Sequence, residues 1–182
     1  LPNMVYAKLV LPPTRFGSTI AAIDQDKAMT MPGFMAAVPM SFPTEAKSQG
    51  FITDVVAVLA DSFPNAMRAA NAVNVTWETD PDFRVSTNDL FQNAEAQIAH
   101  EEGTDFFITG AFGDVDTGVE LESSYKTSFI AHSPMEPASA LSHFTDGRLH
   151  IYAGCQGGSL LPFVISQFTG LTPDKILFYP HL

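Results

Sequence analysis

The side chains best suited to chemistry lie in the last third of the chain. Ala131-His132-Ser133-Pro134-Met135-Glu136-Pro137 sets an imidazole and a carboxylate four residues apart. Pro134 and Pro137 exclude a continuous helix through this run, so His132 and Glu136 do not share a helix face as an i, i+4 metal pair, and no third ligand accompanies them. A His–Glu hydrogen bond that fixes a loop is the reading their types support. Further on, Ile151-Tyr152-Ala153-Gly154-Cys155-Gln156 runs an apolar stretch into an amide, followed by Gly157-Gly158-Ser159. Gln carries donor and acceptor without charge, so it can hold an oxygen of a bound group and leave the local charge unchanged. Two glycines permit close approach to the backbone, and the start of the helix that follows favours an anion. The same residue types also fit a Gln that caps this helix at Ser159, with Gly-Gly as a turn.

The other reactive groups lack partners. His143 and His150 flank a hairpin turn, and surface hairpin histidines seldom bind metal. Asp80, Asp82, Asp114 and Asp116 do not follow the spacing of a calcium loop. Ser133 and Ser159 have no supporting His and Asp and sit in no nucleophile elbow. Asn74-Val75-Thr76 is a glycosylation sequon, but it falls inside an expected strand. Cys155 is the one cysteine, which excludes an internal disulfide and also an iron–sulfur cluster needing about four thiolates. Burial is the expected state of its thiol. No metal site is expected.

Composition narrows the class. The chain has 182 residues, 46% hydrophobic and 16% charged, which is globular composition with enough length for a real core. Its net charge of −11 and only nine Lys and Arg, none clustered, argue against nucleic acid. Fifteen Phe point to aromatic packing or an interface. No run reaches the ~20 apolar residues of a membrane span. Leu1-Pro2-Asn3 does not begin a signal peptide.

Periodicity then supplies the elements that must position these residues. Strands are expected at Met4 to Leu11, Ser18 to Asp24, Val55 to Ala60 (an apolar, β-branched run) and Val73 to Trp77. A short helix is expected over Gln25 to Met31, stopped by Pro32-Gly33. Asp61 offers an N-cap to a helix with Phe63, Ala66, Met67 and Ala70 on its inner face. Thr44 to Gly50 reads as a surface loop and Thr79 to Ser86 as a linker. Leu90, Phe91, Ala94 and Ile98 mark an amphipathic helix, and Gly110 to Gly118 is loop-like. Strands follow at Val119 to Ser128, Ala138 to Phe144 and Leu149 to Tyr152, the last two joined by an Asp146-Gly147 hairpin turn. Leu160, Leu161, Val164, Ile165 and Phe168 fall on one helical face that Gly170 ends, and Ile176 to Tyr179 is a closing strand.

Together with Met4-Val5-Tyr6-Ala7, Pro12-Pro13, Val56-Ala57-Val58-Leu59-Ala60-Asp61-Ser62 and Val75-Thr76-Trp77-Glu78, the His132 and Gln156 motifs resemble the molybdopterin-binding large subunit of the xanthine dehydrogenase/aldehyde oxidase family, most closely the isoquinoline 1-oxidoreductase type. The resemblance runs from Met4 to Leu182. It implies an α+β fold: a hammerhead-like α/β domain over 1–78, a linker and amphipathic helix over 79–113, and over 114–182 a mixed-sheet α/β segment, the N-terminal part of the first molybdopterin-binding domain. It also implies that the chain is a piece of a longer polypeptide. Tyr179-Pro180-His181-Leu182 falls where the family pattern continues into a glycine-rich loop, and the catalytic Glu lies beyond.

By this resemblance the parent protein is a molybdenum hydroxylase that hydroxylates an aldehyde or an N-heteroaromatic carbon with oxygen from water. Gln156, Gly157 and Gly158 are the cofactor-binding residues, His132 and Glu136 support the pocket, and no catalytic residue lies in this stretch. The cofactor is molybdopterin in its cytosine dinucleotide form, held by the whole protein and not by this piece alone. The partners are the rest of the large subunit and a small iron–sulfur subunit. The subgroup's upstream export signal points to the periplasm, with the cytoplasm left open. Against this stands a non-catalytic protein- or ligand-binding module of the same fold, since fold alone does not assign function. A small hydrolase would need a nucleophile–base pair that the sequence does not offer.

Overall fold

The computed structural model describes residues 2–14, 16–41, 54–100, 103–104, 106–107, 109–110, 121, 123–130, 133, 135 and 137–180. The chain divides into two compact units, Leu1–Gly118 and Val119–Leu182. The Thr44 to Gly50 loop and most of the Gly110 to Gly118 stretch lie outside the described residues.

The first unit is organised by β4 (Val55–Ala60), which lies between β1 (Tyr6–Val10) and β3 (Phe34–Met40) in an antiparallel sheet. Its apolar run has no alternation because both faces are covered: Val56 and Val58 are fully buried, and Val55 and Ala57 nearly so. Pairing along both edges, Val10 to Val56 on one side and Met40 to Val55 on the other, provides for its backbone polar groups. A second, two-stranded sheet pairs β2 (Ser18–Asp24) with β5 (Asn74–Thr79), bulged between Ile20 and Ala22. Ile20, Ile23, Val75 and Trp77 pack on the Val56/Val58 core. Ser18, almost fully buried, has its hydroxyl 2.7 Å from that of Thr14 and 2.9 Å from that of Thr79. The short helix α1 (Asp26–Met29) is a single turn and ends before Pro32-Gly33.

Helix α2 (Phe63–Ala70) packs on β1 and β4 with a face that keeps Ala66 and Ala70 of the expected one but takes in Ala69 in place of Phe63 and Met67. Ala66, Ala69 and Ala70 are buried, whereas Phe63 and Met67 remain 46% and 43% exposed. Three alanines let the helix backbone approach the valine surface closely; a Phe or Met on that side would hold it off. Nor is Asp61 the N-cap: Ser62 takes that position without a side-chain cap bond. The Asp61 carboxylate instead accepts from the Asn65 amide at 2.6 Å. Gly33, at φ +73°, leaves room for this pair, since a Cβ there would fall on both side chains.

Where a linker is expected, Asp80 accepts from the Asp82 N–H at 3.0 Å and closes a 3-10 turn over Pro81–Phe83. Helix α3 (Thr87–His100) follows with no buried residue. Its start is a capping box. The Ser86 hydroxyl and N–H both donate to the Asp89 carboxylate, at 2.6 and 2.8 Å, and the Asp89 N–H donates back to the Ser86 hydroxyl at 3.2 Å. The Ser86 hydroxyl first, and its backbone N–H second, hold the Asp89 carboxyl below its ordinary value of 3.8. A lowered folded-state value stabilises the capped helix above the unfolded value, and this contribution is lost as pH falls through the folded value. NMR shifts of residues 87–90 are therefore expected to stay helical from neutral pH down to about pH 4 and to fray below it. An Asp89→Asn variant should show no such acid transition; a transition that persists in it would assign the effect elsewhere.

The second unit is a three-stranded sheet with β7 (Arg148–Ala153) at its centre, antiparallel to β6 (Ala140–Thr145) and parallel to β8 (Ile176–Pro180). Asp146 and Gly147 both take positive φ, 51° and 71°, as a two-residue type I′ hairpin turn requires. The parallel pairing of β7 with β8 needs a crossover, and α4 (Leu161–Thr169) supplies it. Leu161 and Ile165 of α4 pack on Ile151, Ala153 and Ile176. Gly170, at φ 69°, ends the helix, its N–H donating to the Ser166 carbonyl at 3.1 Å. Of the expected strand over Val119 to Ser128, the described residues, Leu121 and Ser123 to Ser128, have no regular structure and are exposed. Beyond Leu121 that stretch is almost wholly polar and has no apolar face to bury. Among the described residues Phe34 and Phe178 pack against the two cores without being fully buried. The cores are Val, Ala and Ile, while Phe144 and Phe163 are each 60% exposed. Among the described residues no helix is long and apolar enough to cross a membrane.

Candidate functional site

β7 delivers the candidate residues to one sheet end. Ala153 is the last buried position of the strand; Gly154, Cys155, Gln156 and Gly157 are exposed, and a turn then leads into α4. Cys155, expected to be buried, is solvent-exposed because it lies past the covered part of the strand.

The backbone excludes the capping reading of Gln156. The N-cap of α4 is Leu160, in helical conformation and without a side-chain cap bond, so neither Gln156 nor Ser159 caps the helix. The turn closes through its own backbone, with the Leu160 N–H donating to the Gly157 carbonyl at 3.0 Å. The Gln156 amide is thus left to solvent or a ligand. Pro162 carries no N–H, and among the described residues the N–H groups of Ser159 and Leu161 have no backbone acceptor. These donors and the positive end of α4 favour an anionic, oxygen-rich group.

The two glycines differ. A Cβ on Gly157 would meet nothing within 4 Å, so its backbone is open to approach. A Cβ on Gly158 would lie 2.6 Å from the Phe178 ring, so glycine is needed there for the turn to pass over β8. Among the described residues no three His, Cys, Asp or Glu side chains form a metal site. His132 and Glu136 lie outside the described residues. Sequence reasoning missed Tyr179, which stacks on Tyr152 of β7 with ring centroids 4.7 Å apart; only the parallel β7–β8 pairing brings them together.

No family model matches the chain. It is 28% identical over 185 residues to the membrane-bound aldehyde dehydrogenase [pyrroloquinoline-quinone] of Gluconacetobacter polyoxogenes, covering 99% of this chain and 23% of that protein. It is also 28% identical over 173 residues to a nicotinate dehydrogenase subunit of Pseudomonas putida, covering 88% of this chain and 13% of that one. Among solved structures, the Cu,Mo-CO dehydrogenase in its carbon monoxide reduced state shares the fold over 100% of this chain and 28% of its own, with a TM-score of 0.53 at 19% identity. The chain is homologous to large subunits of the xanthine dehydrogenase/aldehyde oxidase family. The expected α+β class agrees with the family fold. The chain spans about a quarter or less of the length of the curated relatives it matches.

Proposed function

We propose that the chain is part of the large subunit of a molybdenum hydroxylase that oxidises an aldehyde or an N-heteroaromatic substrate with oxygen taken from water. The observation that carries this reading is similarity over nearly the whole chain to two oxidoreductases, one named for an aldehyde and one for nicotinate, an N-heteroaromatic acid. In this reading 1–78 are the hammerhead-like domain, 79–113 the linker and helix, and 114–182 the opening part of the first molybdopterin-binding domain. The cofactor is molybdopterin, in its cytosine dinucleotide form. Pyrroloquinoline quinone, part of one relative's name, is the rival; the fold shared with a Cu,Mo enzyme favours molybdenum.

The residues present fit one wall of such a group. Gln156 would hold one of its oxygens through the amide N–H, and the open backbone at Gly157 and the start of α4 would face its anionic part. When bound, the cofactor supplies the two-electron redox chemistry, and the protein supplies position and electrostatics. The reading puts His132 and Glu136 in support of this pocket and places the catalytic groups in other parts of the subunit. The outer face of α4 leaves Leu160 66% and Phe163 60% exposed, which suits packing against the rest of that subunit. An iron–sulfur subunit would take the electrons; a relative named as a subunit is consistent with such an assembly. The periplasm is the proposed location.

Turnover of the complete enzyme in isotopically labelled water tests the reaction class. Label is expected in the carboxylic acid formed from an aldehyde, beyond simple exchange, or in the hydroxylated heterocycle. Absence of turnover on both substrate classes would refute the assignment.

A further inference from the structure

We infer that His143 and His150 form a two-histidine site for a divalent transition-metal ion, of the Ni(II), Cu(II) or Zn(II) class, on the sheet face opposite α4. The alternation of side chains puts Leu149, Ile151 and Ala153 of β7 towards α4, and therefore His150 and Tyr152 on the other face. His143 is the direct register partner of His150 across the hairpin. The type I′ turn at Asp146-Gly147 fixes that register. Directly opposed residues have Cβ atoms about 4.5–5.5 Å apart, within the span of two imidazoles on one ion at about 2.0–2.1 Å each.

Contacts on β8 hold the His150 ring in place. Its Nδ1 lies 3.2 Å from the Tyr179 hydroxyl. Its ring is nearly parallel to that of Tyr179, at 3° with centroids 5.8 Å apart, and Tyr179 is itself stacked on Tyr152. A hydrogen bond at one ring nitrogen fixes the ring and leaves Nε2 for an ion, as partners of ligating histidines do. Arg148, two residues before His150, places a cation nearer the turn, within electrostatic reach of Asp174. Imidazole pairs suit Ni, Cu and Zn, and with two protein ligands among the described residues the ion keeps exchangeable positions for water or a further ligand. The site does not depend on the cofactor reading.

The test is Ni(II) titration of the 182-residue chain, followed by calorimetry and by the histidine ring signals in NMR. We expect one binding step that His143→Ala and His150→Ala each abolish, that Tyr179→Phe weakens about tenfold, and that Cys155→Ser leaves unchanged. His143→Gln, which preserves size in an exposed position, must also abolish the step, and intact backbone signals at Ile151 and Ile176 establish folding in each variant. Binding that survives the double His143→Ala/His150→Ala variant, or that depends on only one of the two histidines, overturns the proposal.

Discussion

In the complete enzyme, Gln156→Ala is expected to lower kcat about 10–100-fold, the range typical when a group that orients a metal centre is removed. The side chain is exposed and makes no side-chain hydrogen bond among the described residues, and it does not cap α4. Its loss should therefore leave the melting temperature unchanged. A structural role would give the opposite pattern, a lower melting temperature with turnover per folded molecule preserved. Gln156→Glu should be worse than Ala, because it sets a carboxylate against the anionic group that the turn is proposed to face. Turnover at the wild-type level in the Ala variant would remove Gln156 from the pocket.

Val58→Asp is expected to prevent stable folding of the first unit. Val58 is fully buried on the central strand, and the side chains packed around it are apolar. An unpaired carboxylate left in such a place costs about 3–5 kcal/mol, a large part of the total stability of about 5–15 kcal/mol typical of a folded domain. Val58→Ala should cost only about 1–3 kcal/mol, the transfer and cavity terms of two lost methyl groups. Trp77 packs against this same core, so denaturation followed by its fluorescence reports on the unit directly. Equal midpoints for wild type and Val58→Asp would mean that β4 is not the centre of the core.

What the sequence made legible was local. The run at 55–60 is apolar without alternation, and it is a strand covered on both faces. Asp146-Gly147 carries its turn type in its residue types, and Gly170 marks a helix end through its left-handed backbone. What stayed hidden depends on approach and pairing between distant segments. The inner face of α2 is set by how closely alanine lets it approach the valine sheet, and helical spacing does not encode that distance. The stretch at 119–128 shows part of a strand pattern but lacks an apolar face. Gln156 stands out by its motif, but the choice between cap and free amide rests on a backbone bond from Leu160 to Gly157. The His150–Tyr179 contact joins residues 29 apart and exists only because β8 returns parallel to β7.

Whether this chain forms part of a molybdopterin pocket is settled by the molybdenum and pterin content of the native protein that contains these residues. Molybdenum stoichiometric with the large subunit is expected, with a pterin released on denaturation and oxidation. Protein purified without molybdenum, or carrying pyrroloquinoline quinone in its place, would contradict it.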